Sequence, residues 1–295
     1  MSAITSDEEA NAIRTVFVGS DQVAAIGQGT WKMGEVTSQR TVEVDALRYG
    51  IEQGLTVIDT AEMYADGGAE EVVKEAIKDI RNQVFLVTKV WPTHQSREAL
   101  PKALDASLTR LGTSYVDLYL LHWPSQSVPL EQTLNALAQV QEQGLARYLG
   151  VSNFPTPYLK QAQELLPDGA TIAADQVEYH LANRRAETAL IPYCVDRQIA
   201  VMAYTPVKGI PSLRPASAGY RVLSHIAHDH QVSPATIALA YLIGSGPVIA
   251  IPKAIQYRHI DANRAALDVL LSDVERQAIR RAFASPEEEL PYEAL

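Results

Sequence analysis

Short apolar, β-rich segments begin near residues 26, 55, 84, 115, 146, 171, 199 and 248. The recurrence is about thirty residues, which leaves room for one helix between each strand and the next. Helical patterns fill those gaps. Val44, Leu47, Ile51 and Leu55 repeat at three-to-four spacing with Gly54 placed to end the helix. Leu100, Leu104, Leu108 and Leu111 do the same before Gly112, and Leu130, Leu134 and Leu137 form a unit that Gly144 closes. Ser233-Pro234 and a capping box from Ser272 to Glu275 mark two later helix starts. Strands joined through helices run parallel and are buried on both faces. Eight such units predict the α/β architecture called the (β/α)8 or TIM barrel, which needs roughly 250 residues.

Two segments fall outside the eight units. Residues 15–25 (TVFVGSDQVAA) read as an N-terminal β-hairpin across the bottom of the barrel, and the longer stretch from Pro206 to about Ser233 must hold extra helices or a long loop toward the C-terminus. The competing doubly wound sheet is disfavoured, because Gly27 and Gly29 of IGQGTW lack the third glycine and the helix start of a dinucleotide fingerprint. No Pro/Ser/Gly linker or composition break interrupts residues 1–295, so a single domain is expected.

Composition narrows the function. The chain is 47% apolar yet has no run of eighteen apolar residues, which argues for a soluble protein rather than a membrane one. The first residues, MSAITSDEEANAIR, are too acidic and polar for a signal peptide. Cys194 stands alone, so a disulfide framework is excluded and a reducing cytoplasm is the expected setting. A formal charge of -10 tells against nucleic acid or an anionic membrane as the main partner. A monomer is expected.

Polar residues stand where three successive strands should end: Asp59 and Tyr64 in LTVIDTAEMY, Lys89 in VFLVTKV, and His122 in YVDLYLLHWP. A lysine closing a doubly buried strand is costly unless paired. The C-terminal strand ends are also where barrels of this kind carry their active sites. Singly, each residue has an ordinary structural use as a loop hydrogen-bonder, packing group or ion-pair member. Together they suit proton donation to a carbonyl that is receiving hydride. Tyr64 would be the donor, Lys89 the ammonium that stabilises its phenolate, Asp59 the anchor of Lys89, and His122 a hydrogen-bond partner for the substrate oxygen.

At this point the sequence resembles the aldo-keto reductases. IDTAEMY, VTKV, LLHWP, GVSNF, the Gln of DQVEYH, AYTPV and IPKA fall in family order between about Ala25 and Phe283. The resemblance implies a (β/α)8 barrel that reduces aldehydes and ketones with NADPH, and a catalytic tetrad of Asp59, Tyr64, Lys89 and His122. It implies that Ser152, Asn153 and Gln176 hold the nicotinamide carboxamide, that the Tyr204 ring stacks on the nicotinamide, and that Gly29, Thr30 and Trp31 lie beside it. Lys253 and Asn263 match the phosphate and adenine end. There the pattern departs: Ala254 replaces the usual serine, and His259, with Arg258 next to it, stands where NADPH-preferring members commonly carry arginine. A neutral histidine lacks arginine's planar fork for phosphate, so NADPH is expected with room left for some use of NADH. The stretches IGQGTW and IDTAEMYADGGAE look most like small bacterial reductases acting on methylglyoxal and similar aldehydes.

All three tryptophans, Trp31, Trp91 and Trp123, lie at strand ends beside the polar set and are read as the walls of an aromatic substrate pocket. The link from His122 to the next helix is about seven residues, and this short rim favours small aldehydes over large substrates. A Schiff-base aldolase using Lys89 is one alternative, and a non-catalytic, cofactor-binding regulatory subunit on the same fold is another. Two further readings are declined: a zinc site from His225, His228 and His230, which lie on an amphipathic stretch, and a glycosidase pair from Asp59 and Glu62, with Lys89 close by.

Overall fold

The computed structural model describes residues 13–285. Residues 1–12 of the acidic stretch MSAITSDEEANAIR, read above as unlike a signal peptide, lie outside them. The chain opens with an antiparallel hairpin, β1 (Thr15–Val18) and β2 (Asp21–Ala24). Eight parallel strands follow: β3 (Gln28–Gly29), β4 (Val57–Asp59), β5 (Phe85–Val90), β6 (Val116–Leu121), β7 (Ala146–Ser152), β8 (Ile172–Glu178), β9 (Ala200–Tyr204) and β10 (Val248–Ala250). Each begins within about two residues of the start read from the period. Ile26 bridges Ala250 in parallel, the Gly27 amide donates to the Ala250 carbonyl at 2.8 Å, and the Ala250 amide donates to the Ala25 carbonyl at 2.9 Å. The sheet therefore closes into a (β/α)8 barrel, and the doubly wound alternative is excluded.

Every residue of β5 and β6 is buried, as a strand between a barrel interior and a helical shell requires. The shell comprises α1 (Arg40–Glu52), α2 (Gly68–Ile77), α3 (Ala99–Leu111), α4 (Leu130–Glu142), α5 (Thr156–Leu165), α6 (Leu190–Arg197), α7 (Ala218–Asp229), α8 (Pro234–Ile243), α9 (Tyr257–Ala265) and α10 (Asp273–Ala282). In α3 the four leucines at 100, 104, 108 and 111 are all buried, and Gly112 ends the helix at φ 64, a left-handed conformation that a Cβ would strain. Removing one such leucine side chain would cost about 2–5 kcal/mol. The first helix differs in detail. Leu47 and Ile51 are buried, but Val44 is half-buried, and Leu55 lies beyond the helix end, where it packs at the entry to β4. Ser233 caps α8, and the Ser272–Glu275 capping box opens α10.

The hairpin does cover the bottom of the barrel. Tyr148 and Arg147, at the start of β7, meet it there: Ser20 Oγ lies 2.8 Å from the Tyr148 hydroxyl, and Arg147 Nη1 is 2.6 Å from Asp21 Oδ2. The long stretch between β9 and β10 holds both α7 and α8. Among the described residues, no helix is long and apolar enough to cross a membrane.

Candidate active site

Strand register places Asp59 at the last position of β4 and Lys89 near the end of β5, beside Leu120 of β6. Tyr64 follows β4 after a short turn. Beyond it Ala65 and Asp66 both take left-handed conformations, φ 51 and φ 55, which bend the chain sharply and fix the ring over the barrel mouth. His122 directly follows β6.

These four side chains form one buried cluster. Lys89 Nζ donates to Asp59 Oδ2 at 2.8 Å, to the Thr60 carbonyl at 2.8 Å and to the Tyr64 hydroxyl oxygen at 3.2 Å. All three ammonium hydrogens are thereby placed. Tyr64 is on the accepting side of its bond to Lys89, so its own O–H remains to point elsewhere. The Tyr64 and His122 rings meet edge to face with centroids 5.7 Å apart.

Electrostatics set the protonation states. Burial is the largest influence on Lys89 and acts to discharge it, but the contacts with Asp59 and Tyr64 together outweigh burial and hold its pKa above the ordinary value. Burial pushes the Tyr64 phenol upward; the Lys89 ammonium works against that, Asp59 partly cancels the ammonium, and the net shift is upward. Lys89 alone would lower the phenol. In the folded chain desolvation wins, so Tyr64 holds its proton at neutral pH. His122 sits well below the ordinary histidine value, first through burial and then through Lys89, and is therefore a neutral imidazole near pH 7. Its Nδ1 is buried with no hydrogen-bond partner.

A second group surrounds the first. Ser152 Oγ donates to the Gln176 carbonyl at 2.8 Å, Asn153 Nδ2 donates to the His122 carbonyl at 3.2 Å, and the Tyr204 hydroxyl donates to Asn153 Oδ1 at 2.9 Å. Asn153 holds φ 63 and Thr205, after Tyr204, φ 50. Left-handed non-glycine residues cost about 1–3 kcal/mol and gather at working sites. Thr30 is fully buried and its hydroxyl donates to the Asp59 carbonyl at 2.9 Å, so it braces Asp59 from below. A Cβ on Gly29 would lie 2.7 Å from the Ile251 carbonyl, so only glycine lets the chain pass there. At the other end, Lys253, Arg258 and His259 are exposed before and within the first turn of α9, and Asn263 is half-buried on the same helix.

Two of the three tryptophan rings stand against the polar cluster. The Trp31 ring stands 5.0 Å from Tyr64 and the Trp91 ring 5.4 Å from His122, both edge to face. Trp123 enters through its carbonyl, which accepts from Gln95 Nε2 at 2.8 Å, and its ring stacks on neither Tyr64 nor His122. Glu62, considered above as a second carboxylate, has another use: its Oε1 accepts from the Trp91 amide at 2.6 Å and lies 3.0 Å from His94 Nδ1. It pins the loop that carries Trp91, a role invisible in a sequence where the partners stand 29 residues apart. Also unforeseen is the Glu178–Lys208 ion pair at 2.7 Å; Glu178 is held at about 2 chiefly by its hydrogen bond to His180, then by Lys208. His225 and His228 pair with Asp229, and His230 with Glu275. Among the described residues no group of three His, Cys, Asp or Glu is arranged to hold a metal ion.

Residues 25–283 match the model of the aldo/keto reductase family. The chain is 46% identical over 270 residues to methylglyoxal reductase YeaE of Escherichia coli K12, covering 92% of this chain and 94% of the relative. It is 30% identical over 266 residues to methylglyoxal reductase DkgB of Salmonella typhi, covering 87% and 92%. Among solved structures, an aldo-keto reductase from Klebsiella pneumoniae in complex with NADPH superposes with a TM-score of 0.90 at 43% identity, over 96% of this chain and all of that one. The barrel, the buried cluster at its mouth and these likenesses agree: the chain belongs to the aldo/keto reductase family.

Proposed function

We propose that the protein reduces small aldehydes and 2-oxoaldehydes such as methylglyoxal to alcohols with NADPH, Tyr64 being the proton donor. As a member of the family it is an NAD(P)H-dependent oxidoreductase. The observation that carries the finer reading is the Asp59–Lys89–Tyr64 relay, in which a buried ammonium is aimed at a hydroxyl whose hydrogen is not used inside the cluster.

The residues suit the cofactor. Two amides, Asn153 and Gln176, and the Ser152 hydroxyl stand together at adjoining strand ends. Thr205 Oγ1, in the residue after Tyr204, is buried without a partner, as expected of a hydroxyl meant for a ligand. Exposed Lys253, Arg258 and His259 suit a phosphate. Bound NADPH supplies the hydride. Tyr64 gives its proton to the carbonyl oxygen as charge develops there, and Lys89, kept charged by Asp59, stabilises the phenolate left behind. Neutral His122 can donate a hydrogen bond to the same oxygen and fix the carbonyl plane, while Trp31 and Trp91 exclude water beside it. The methylglyoxal reductases among the relatives and the short rim of seven residues between His122 and α4 favour a small substrate.

The aldolase reading is weakened by the same geometry. A lysine nucleophile must be uncharged, and Lys89 is locked in an ion pair that keeps it protonated. The test of the proposal is NADPH consumption with methylglyoxal and a panel of small aldehydes. Turnover with members of the panel supports it. Cofactor binding without consumption would instead favour a regulatory subunit, and borohydride trapping of substrate on Lys89 an aldolase.

A further inference from the structure

Asp59 has two carboxylate oxygens, and only one is accounted for by Lys89. The other, Oδ1, accepts a hydrogen bond from Gln176 Nε2 at 2.7 Å, across 117 residues of sequence and from the far side of the barrel mouth. Both residues are buried, each 2% exposed. The second Gln176 amide hydrogen has Met202 Sδ at 3.9 Å. A carboxylate next to the amide requires the nitrogen on that side, so the orientation of the amide is fixed by chemistry, and its oxygen is the atom left for a donor elsewhere.

We propose that Gln176 is a positioning residue for the proton-donating relay: by anchoring Asp59 Oδ1 it fixes the carboxylate's rotation, and thereby the share of Lys89 that reaches Tyr64. The inference rests on the reductase reading above. It adds to that reading a direct connection between the nicotinamide side of the site and the proton-donating side, through a single amide. An ammonium shared between a carboxylate at 2.8 Å and a phenol oxygen at 3.2 Å is sensitive to how the carboxylate is held. With Oδ1 stripped of its donor, the carboxylate becomes a stronger acceptor and is free to turn, and Lys89 is drawn from Tyr64 toward Asp59. The phenolate is then less stabilised, and Tyr64 ionises at higher pH. The charged and titratable groups facing this relay are Asp59 from β4, Tyr64 from the turn after it, Lys89 from β5, His122 after β6 and Tyr204 from β9, with Glu178 acting on Tyr204.

The test is a double-mutant cycle of Gln176→Met with Asp59→Asn, read in two ways. The first is the pH dependence of alcohol oxidation at saturating NADP, whose rising limb follows formation of the Tyr64 phenolate. The second is the side-chain 15N resonance of the Lys89 ammonium, assigned with Lys89→Met, which needs no turnover. Gln176→Met is expected to move the rising limb upward by about half a pH unit or more and to shift the Lys89 signal. In the Asp59→Asn background it should do neither. Gln176→Leu, of similar size, provides a second variant should the methionine protein fold poorly. Weakened NADPH binding with the limb and the Lys89 signal both unmoved would overturn the proposal and leave Gln176 a cofactor contact alone. Equal displacement in both backgrounds would overturn it as well, because Gln176 would not then act through Asp59. A wild-type protein that oxidised or reduced nothing would count against the reductase reading only, since the Lys89 resonance would still decide the role of Gln176.

Discussion

Lys89 Nζ lies 3.2 Å from the Tyr64 hydroxyl, in a place from which solvent is wholly excluded around the lysine. That contact joins the turn after β4 to the end of β5. It is sustained by Asp59, without which a buried ammonium would discharge or the segment would open.

Lys89→Met removes one member of a buried ion pair and strands the other. We expect a loss of stability of about 3–5 kcal/mol together with the loss of turnover. Adding Asp59→Asn should restore much of the stability, because no unpaired charge remains, while turnover stays low. Urea denaturation and steady-state kinetics on the single and double variants separate the two effects. Recovery of both together would mean that Lys89 is only structural.

His122 gives a pH dependence of definite sign. Its pKa in the folded chain is depressed, so on acidification the unfolded chain takes up this proton first, near pH 6.5, and stability falls as the pH drops through that range. His122→Gln should therefore lose less stability than the native chain between neutral pH and about pH 5. In the native enzyme the reduction rate should show no break near the ordinary histidine value, since His122 stays neutral there. A break at that point which His122→Gln abolishes would show that the ring charges in the working enzyme.

His259→Arg supplies a planar fork at the exposed start of α9, where Arg258 Nε is already engaged by Gln256 Oε1 at 2.9 Å. We expect NADPH to bind roughly tenfold tighter, from a charged contact of about 1.5–3 kcal/mol, with NADH little changed. Titrations with both cofactors check this. Equal shifts would mean that residue 259 does not read the phosphate.

Trp31 and Trp91 abut Tyr64 and His122, so most of the indole emission should come from the site. Saturation with NADPH, corrected for inner-filter absorption, is expected to quench most of that emission, and Trp91→Phe to reduce the change more than Trp123→Phe. Saturation with little quenching would place the cofactor away from these rings.

Much of this was legible in the chain. The strand period gave the barrel because doubly buried strands need uninterrupted apolar runs, and the tetrad stood out because Lys89 is so costly at the end of one. The contacts that tune the site were not legible. The Gln176–Asp59 and Glu62–Trp91 hydrogen bonds join distant segments, and nothing local in either partner announces the other. The sign of the Tyr64 shift likewise depends on how deeply the ring is buried, which spacing along a sequence does not report.

The most direct test of the central claim is Tyr64→Phe, assayed for NADPH-dependent reduction of methylglyoxal and for NADPH affinity. The ring, its edge contacts and the Lys89–Asp59 pair remain, and only the hydroxyl is lost. We expect turnover to fall by at least about 100-fold with cofactor affinity nearly unchanged. Near-normal turnover in this variant would show that the proton comes from elsewhere and would contradict the mechanism.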